Sequence, residues 1–320
     1  MLQEISNLLT EQVNENTKDI DKKSTLEVLE LINSEDKKVA YAVEEQLPKI
    51  AKVIDKIVTM IKKNGRIIYV GAGTSGRIAI LDAAECPPTF GTPPELVMGI
   101  IAGGEKALTQ AIEGVEDCKE EAVKQLEEIN LNPKDVVIGL AASGRTPYVL
   151  GAIEYAKSLG CYTVGISCTQ NSLLSRLADD GIEVIVGPEV VSGSTRLKAG
   201  TAQKMVLNMI STTTMILLGK VYGNLMVDVQ PSNLKLKERA KKIVMESTGI
   251  DYKKAEEILE SVNFNIKLAI IMVKTGCNKD IAEELLEESE GFIHKALFIY
   301  KNKRKGGKNE SINGMFRWYV

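Results

Sequence analysis

Two short segments of this 320-residue chain carry side chains suited to holding an anion: Thr74 and Ser75 between Gly73 and Gly76, and Ser143, Arg145 and Thr146 around Gly144. The first follows Ile67, Ile68, Tyr69 and Val70, strand formers without polar interruption, as expected of a strand covered on both faces. The glycines let the backbone turn tightly. A helix that follows such a turn aims its free amides and positive dipole end at the occupant. A second apolar run, 135–141, ends in ASGRTP, with Pro147 suited to an early helical position. Ser143 and Thr146 offer hydroxyl donors there and Arg145 a charge. Helix capping is the competing role for both hydroxyls. Two such loops at the carboxyl ends of strands in one α/β unit nevertheless favour a ligand.

Carboxylates supply the acid–base chemistry. Glu85 is trailed by Cys86-Pro87-Pro88, and Pro93-Pro94 come soon after, which reads as a stiffened loop. A carboxylate held near a phosphate site is a candidate general acid or base, a solvated charge being the plain alternative. Glu113, Glu116 and Asp117 add more acid, with capping of a helix starting near Asp117 as their alternative role. Two carboxylates with opposed roles are a common acid–base solution. Ser192, Ser194 and Thr195 form a third hydroxyl cluster before a long helical pattern, again open to a capping reading. Lys198 and Lys204 are read as interface or solvent residues able to act as charge partners.

The glycine spacing from Gly71 to Gly76 also fits a dinucleotide fold. That reading needs an acidic residue about 20 positions on. The next strand, 96–101, instead runs into Ala102-Gly103-Gly104 before Glu105. Thr74 and Ser75 also stand where an apolar pair commonly packs, so a sugar phosphate is favoured over a nicotinamide or flavin.

The elements that must position these residues are legible as an alternation of strands and helices. Strands are expected at 67–71, 96–101, 136–141, 163–167 and 183–186, with a long helix over 197–222. Crossover helices between five strands imply an α/β, doubly wound five-stranded parallel sheet. Ahead of it lie a short helix within 2–21, a Ser24/Glu27 capping box opening a helix through Ile32, and a helical stretch 41–63 broken before Pro48. Beyond Asn233 only helical patterns follow, at 234–247, 251–261, 265–275 and 278–288. The expected partition is an N-terminal helical segment 1–48, a sheet domain 49–232, a small all-α domain 233–298 and a basic tail 299–320. The tail is expected to be flexible at its base, with an aromatic end at 316–320.

Composition narrows the classes. Hydrophobic residues make up 44% and the formal charge is −3, so no basic bias points to nucleic acid. The polar first 21 residues and the lack of a bilayer-length apolar run lead to the expectation of a cytoplasmic protein without membrane association. Five scattered cysteines with no C-x-x-C pair suit a reducing compartment and argue against structural zinc. With His294 the single histidine, acid–base work near neutrality falls to carboxylates.

GAGTSGR, LDAAECPPTFG, IAGGEKA, EGVED, AASGRTPYV, GISC and VVSGSTRLKAGTAQKMVLNM, in this order between about Leu9 and Leu297, resemble the N-acetylmuramic acid 6-phosphate etherases of the sugar isomerase (SIS) superfamily. Glucokinase regulatory protein is related but carries two such units, where this chain has one. The resemblance implies cleavage of a D-lactyl ether by elimination and water addition, with no metal or redox cofactor. It assigns Glu116, in EGVED, as the base toward C2 of the sugar. Glu85, in DAAECPPT, becomes the acid at the departing oxygen, protonated through desolvation or a neighbouring negative charge, and then the base for water. Gly73, Thr74, Ser75, Ser143, Gly144, Arg145 and Thr146 are expected on the phosphate, Glu113 on sugar hydroxyls, and Ser192 and Ser194 near the ligand. Analogy adds a homodimer and a C-terminal bundle like the ubiquitin-associated domain. The competing class is a non-catalytic sugar-phosphate sensor, which needs the cradles and neither glutamate. A transcriptional regulator would need a basic recognition helix, and the acidic stretch 24–45 offers none.

Overall fold

Uninterrupted Ile and Val runs become five parallel strands in the computed structural model, which describes residues 9–231 and 233–304. They are β1 (Ile67–Gly71), β2 (Val97–Ile101), β3 (Val136–Leu140), β4 (Tyr162–Ser167) and β5 (Asp180–Glu183). Every residue of β1 and β3 is buried, as a sheet covered on both faces requires. The strand order is β2-β1-β3-β4-β5. Winding therefore reverses between β1 and β3, and a crevice opens at their carboxyl ends.

The accompanying helices are α1 (Thr25–Glu44), α2 (Leu47–Ile61), α3 (Gly73–Phe90), the single turn α4 (Lys106–Thr109), α5 (Lys119–Glu128), α6 (Pro147–Ser158), α7 (Leu173–Leu177) and α8 (Lys198–Leu217). The Ser24/Glu27 box forms reciprocally, but α1 runs past Ile32 to Glu44. Between residues 9 and 22 the chain makes three separate single 3₁₀ turns in place of one helix. Residues 1–8 of that expected helix lie outside the described part. β5 begins three residues earlier than expected, because pairing with β4 sets its position, Val164 opposite Asp180 and Ser167 opposite Glu183.

A buried carboxylate fixes the central pair of strands. Asp135, fully buried before β3, accepts from the Arg66 backbone N at 3.0 Å, from Arg66 Nη2 at 2.6 Å and from the Asn132 backbone N at 3.1 Å. Arg66 immediately precedes β1, so both strands start from one ion pair. Burial opposes the Arg66 charge, yet its hydrogen bonds to Asp135 dominate and push the guanidinium pKa upward.

The chain divides into two compact units, the described residues up to Glu85 with Pro94–Thr212, and Cys86–Pro93 with the chain from Thr213 onward. In the second unit, α8 gives way at Gly219, at φ +74°, to a hairpin of β6 (Val221–Tyr222) and β7 (Leu225–Met226), shortening the long helix expected to reach Tyr222. Then come α9 (Leu234–Thr248), α10 (Tyr252–Ser261), α11 (Ile266–Thr275), α12 (Lys279–Glu288) and α13 (Ile293–Arg304). Asn233, Asp251, Asn265 and Asn278 cap four of them through side-chain oxygens. Helix α13 was not anticipated. Buried Ile293, Ala296 and Ile299 carry it into the stretch assigned to the tail. Residues 305–320, with the aromatic end, lie outside the described part.

Lys198 corrects an expectation. It is neither at an interface nor in solvent but only 1% exposed, with Nζ 2.6 Å from Glu35 Oε2 on α1. Glu35 also accepts from Lys38 Nζ at 2.5 Å and Asn16 Nδ2 at 3.2 Å. Burial opposes its ionisation, but the bonds from Lys198, Lys38 and Asn16 prevail and hold it at about 2. A folded-state value below the unfolded one contributes stability that is complete above about pH 4.5 and lost as pH falls through about 2. Lys198→Met should cost about 3–5 kcal/mol in urea unfolding at neutral pH, since it strands a buried charge. The gap to the parent should shrink toward pH 2.

Candidate active site

Register places Gly71, at the end of β1, level with Leu140 at the end of β3, so the segments leaving the two strands emerge side by side. After β1, Gly73 adopts φ +52° and α3 begins with Thr74 and Ser75. A Cβ on Gly76 would lie 2.5 Å from Ile101 Cγ1 and 2.7 Å from the Gly71 oxygen, so only glycine lets the helix start this close to the sheet. After β3, Gly144 turns at φ +66°, and a Cβ there would lie 2.3 Å from Ser172 Cβ. Its oxygen accepts from Leu174 N at 2.9 Å, which anchors the turn.

The hydroxyls differ in their engagements. Thr146 is the N-cap residue of α6 but makes no side-chain cap bond, so the capping alternative does not describe it. Ser143 Oγ accepts from Arg145 N at 3.4 Å, and Ser143, Arg145 and Thr146 are all partly exposed. Ser75 is nearly buried and donates to Gln203 Oε1 of α8 at 2.8 Å. The first turn of α8 also meets this cradle, because a Cβ on Gly200 would lie 3.4 Å from Thr74 Cγ2.

Capping of α8 falls to none of the serines in the third cluster. Glu189 does it, its carboxylate accepting from Lys198 N and Ala199 N at 2.9 Å each. The exposed Ser192 hydroxyl donates to the Gln12 oxygen at 3.4 Å, and Ser194 N closes a turn onto the Val191 oxygen at 3.0 Å.

The acidic segment returns to the same end of the sheet. Ala102 N donates to the Gly71 oxygen at 3.1 Å, tying the exit of β2 to that of β1. Gly114, at φ +79°, turns the chain into a 3₁₀ turn, Val115–Asp117, which leaves Glu113 and Glu116 exposed while Val115 packs on the core beside Tyr148 and Val149. These acids do not open α5, which starts at Lys119 with Glu120 and Glu121 in its first turn.

Glu85 sits differently from its expectation. It is not on a proline-stiffened loop. Helix α3 continues through Pro87 and Pro88 to Phe90, carried by Cys86 and Phe90, which are 2% and 7% exposed. Eleven residues separate Glu85 from Thr74, about 16 Å of helix rise, and three turns return both to one face. Exposed Leu81 lies on that face, and Glu85 is itself exposed. One turn before Glu85, Asp82 accepts from Ser211 Oγ at 3.0 Å. Burial pushes the Asp82 carboxyl upward, with Ser211, Tyr69 and the charge of exposed Lys204 opposing it.

Arg77 received no role from sequence alone. Its Nε donates to the Leu108 oxygen at 3.1 Å and its Nη2 to the Gln110 oxygen at 2.8 Å. It thereby ties the helix carrying Thr74, Ser75 and Glu85 to the segment leading into Glu113 and Glu116. The signal available was its place in GAGTSGR, but its partners are backbone carbonyls, which leave no trace in residue types. Among the described residues no group of three His, Cys, Asp or Glu is placed to hold a metal, and no helix is long and apolar enough to cross a membrane. Arg77→Gln should speed amide hydrogen exchange over residues 106–117 by about tenfold while leaving β1 unchanged, the expected signature of a lost local tether.

Known proteins sharpen the picture. The glucokinase regulatory protein N-terminal SIS domain matches residues 49–157, and the SIS domain matches residues 119–213. An N-acetylmuramic acid 6-phosphate etherase from Clostridium beijerinckii is 56% identical over 299 residues, covering 93% of this chain and 98% of that protein. One of the same name from Bacillus cytotoxicus is 54% identical over 293 residues, 92% of this chain and 100% of the relative. With identity of this order sustained across nearly the full length of both, the chain belongs to the N-acetylmuramic acid 6-phosphate etherase family.

Proposed function

We propose that this protein is a carbon–oxygen lyase that converts N-acetylmuramic acid 6-phosphate into N-acetylglucosamine 6-phosphate and D-lactate, serving cell-wall amino-sugar recycling. The observation that supports this best is the meeting, at one switch point, of the 73–75 and 143–146 turns beside the segment carrying Glu116, in a chain of this family. The 6-phosphate takes the hydroxyls of Thr74, Ser75, Ser143 and Thr146, the Arg145 charge and the start of α3. Glycine at 73 and 144 lets the backbone approach it. Glu113, Ser192 and Ser194 face the sugar end.

An ether resists simple hydrolysis, so the carboxylates act on the open-chain sugar. There the C3 oxygen lies β to the C1 aldehyde. Glu116 removes the C2 proton, the C2–C3 double bond forms, and the C3–oxygen bond breaks with its electron pair going to the lactyl oxygen. Glu85 supplies the proton that completes D-lactate. Water then adds at C3, its proton passing to Glu85, and C2 regains a proton from Glu116. Each carboxyl ends as it began, and no oxidant, reductant or metal enters the balance.

The exposure of Glu85 in the single chain bears on this chemistry, since an acid near neutrality needs desolvation or a neighbouring negative charge. A homodimer that covers the Glu85 face of α3 supplies that desolvation. The cytoplasm is the compartment proposed, since a phosphorylated sugar and five cysteines that form no disulfide both suit it.

Purified protein should release D-lactate from N-acetylmuramic acid 6-phosphate without added metal or nucleotide. Reaction in D₂O should place deuterium at C2 of the product. Glu85→Gln and Glu116→Gln should each lower kcat by about 10²–10⁴-fold, the usual worth of a positioned acid or base. A folded parent that binds the sugar phosphate yet releases no lactate would mark a sensor instead. Sedimentation at micromolar concentration should give twice the 35.0 kDa chain mass; a monomer that remains active would remove the dimer from this account.

A further inference from the structure

The hydroxyl of Ser75 has a single proton, and its use depends on a neighbour. In the structure that proton goes to Gln203 Oε1, 2.8 Å away, and the contact is buried. In this arrangement Ser75 presents lone pairs to the cradle, which an anion repels rather than binds. Gln203 is only 1% exposed, and its Nε2 has no hydrogen-bond partner. A buried amide donor without an acceptor is costly, whereas an under-used carbonyl oxygen is tolerated more easily.

Rotating the Gln203 amide by half a turn resolves both defects. Nε2 then donates to Ser75 Oγ, and the Ser75 proton becomes free to point at a phosphate oxygen. The amide oxygen takes the place of the orphaned donor. Both residues are held in position for this exchange. Gln203 lies near the start of α8, whose Glu189 cap fixes the first turn, and Gly200 seats the same helix against Thr74.

We propose that Gln203 is the positioning residue of the phosphate cradle: its amide gives a hydrogen bond to Ser75 and thereby makes the Ser75 hydroxyl a donor to the sugar phosphate. The inference rests on the phosphate reading of Ser75 above and deepens it by naming the group that sets the direction of that hydrogen bond. It also separates Gln from Glu at this position. A carboxylate there has no proton to give, so it would take the Ser75 proton permanently and add a negative charge beside the ligand.

The test is calorimetric binding of N-acetylglucosamine 6-phosphate to the full chain and to three variants, with thermal unfolding of each recorded alongside. Gln203→Glu should weaken binding by about tenfold or more, the worth of a hydrogen bond to a charged group. Gln203→Met has similar bulk but gives no hydrogen bond to Ser75 and does not capture its proton, so it should weaken binding by about threefold, less than the Glu variant, even where its Tm falls further. A purely structural role for Gln203 reverses that order, with affinity following Tm. Equal affinities for the Glu and Met variants, or a Glu variant that binds like the parent, would overturn the proposal. Ser75→Ala distinguishes the two levels. If it binds like the parent, the phosphate reading of Ser75 fails and the proposal fails with it. If it loses binding while Gln203→Glu does not, only the role of Gln203 fails.

Discussion

Asp135 holds the two strands on which everything else in the sheet unit depends. Its buried carboxylate gathers donors from Arg66 and Asn132, so β1 and β3 start from a common point and run in register from Ile67 opposite Val136 to Gly71 opposite Leu140. A parallel pair has no tight turn to set its alignment, and each strand reaches its neighbour through a crossover. A charge buried at the start of both supplies what a turn would supply elsewhere. Losing it would leave an unpaired ion or unsatisfied amides in the core, far costlier than a lost surface contact. The consequence appears at the opposite end of the strands, where the two hydroxyl-bearing turns come out level.

Around that switch point, polar contacts between α3 and α8 take over. Ser75 with Gln203 and Asp82 with Ser211 are both buried and both sit between these helices. Apolar packing would hold the helices together without choosing a rotation. Buried hydrogen-bond pairs choose one, because each wrong rotation strands donors and acceptors away from water. Arg77 extends the same logic to the loop after α4, fixing it by its carbonyls and leaving the acids beyond it exposed.

The placement of Glu85 gives the proposed chemistry its shape. A helix separates it by about 16 Å from Thr74 while returning it to the same face. In the proposed reading the acid therefore acts at the end of the substrate away from its phosphate, on the same face of α3.

Much of this was legible in the chain. Uninterrupted apolar runs between glycine turns specify buried parallel strands, and Gly76 and Gly144 mark close backbone approaches that no other residue allows. The Ser24/Glu27 box is a short-range pattern, readable because its partners lie within three residues. What failed was non-local. Lys198 looked like a surface lysine until Glu35, 163 residues away, was found beside it. β5 took its position from β4 rather than from its own hydrophobicity. The prolines after Glu85 read as a helix end, yet burial of Cys86 and Phe90 carried the helix on. The sequence by itself determined which residues could do chemistry and which segments would be strands, because residue type and local periodicity suffice for that. Which hydroxyl faces which amide and which arginine holds the acidic loop were decided only by the tertiary structure, since those partners are chosen by packing across more than 30 residues of chain.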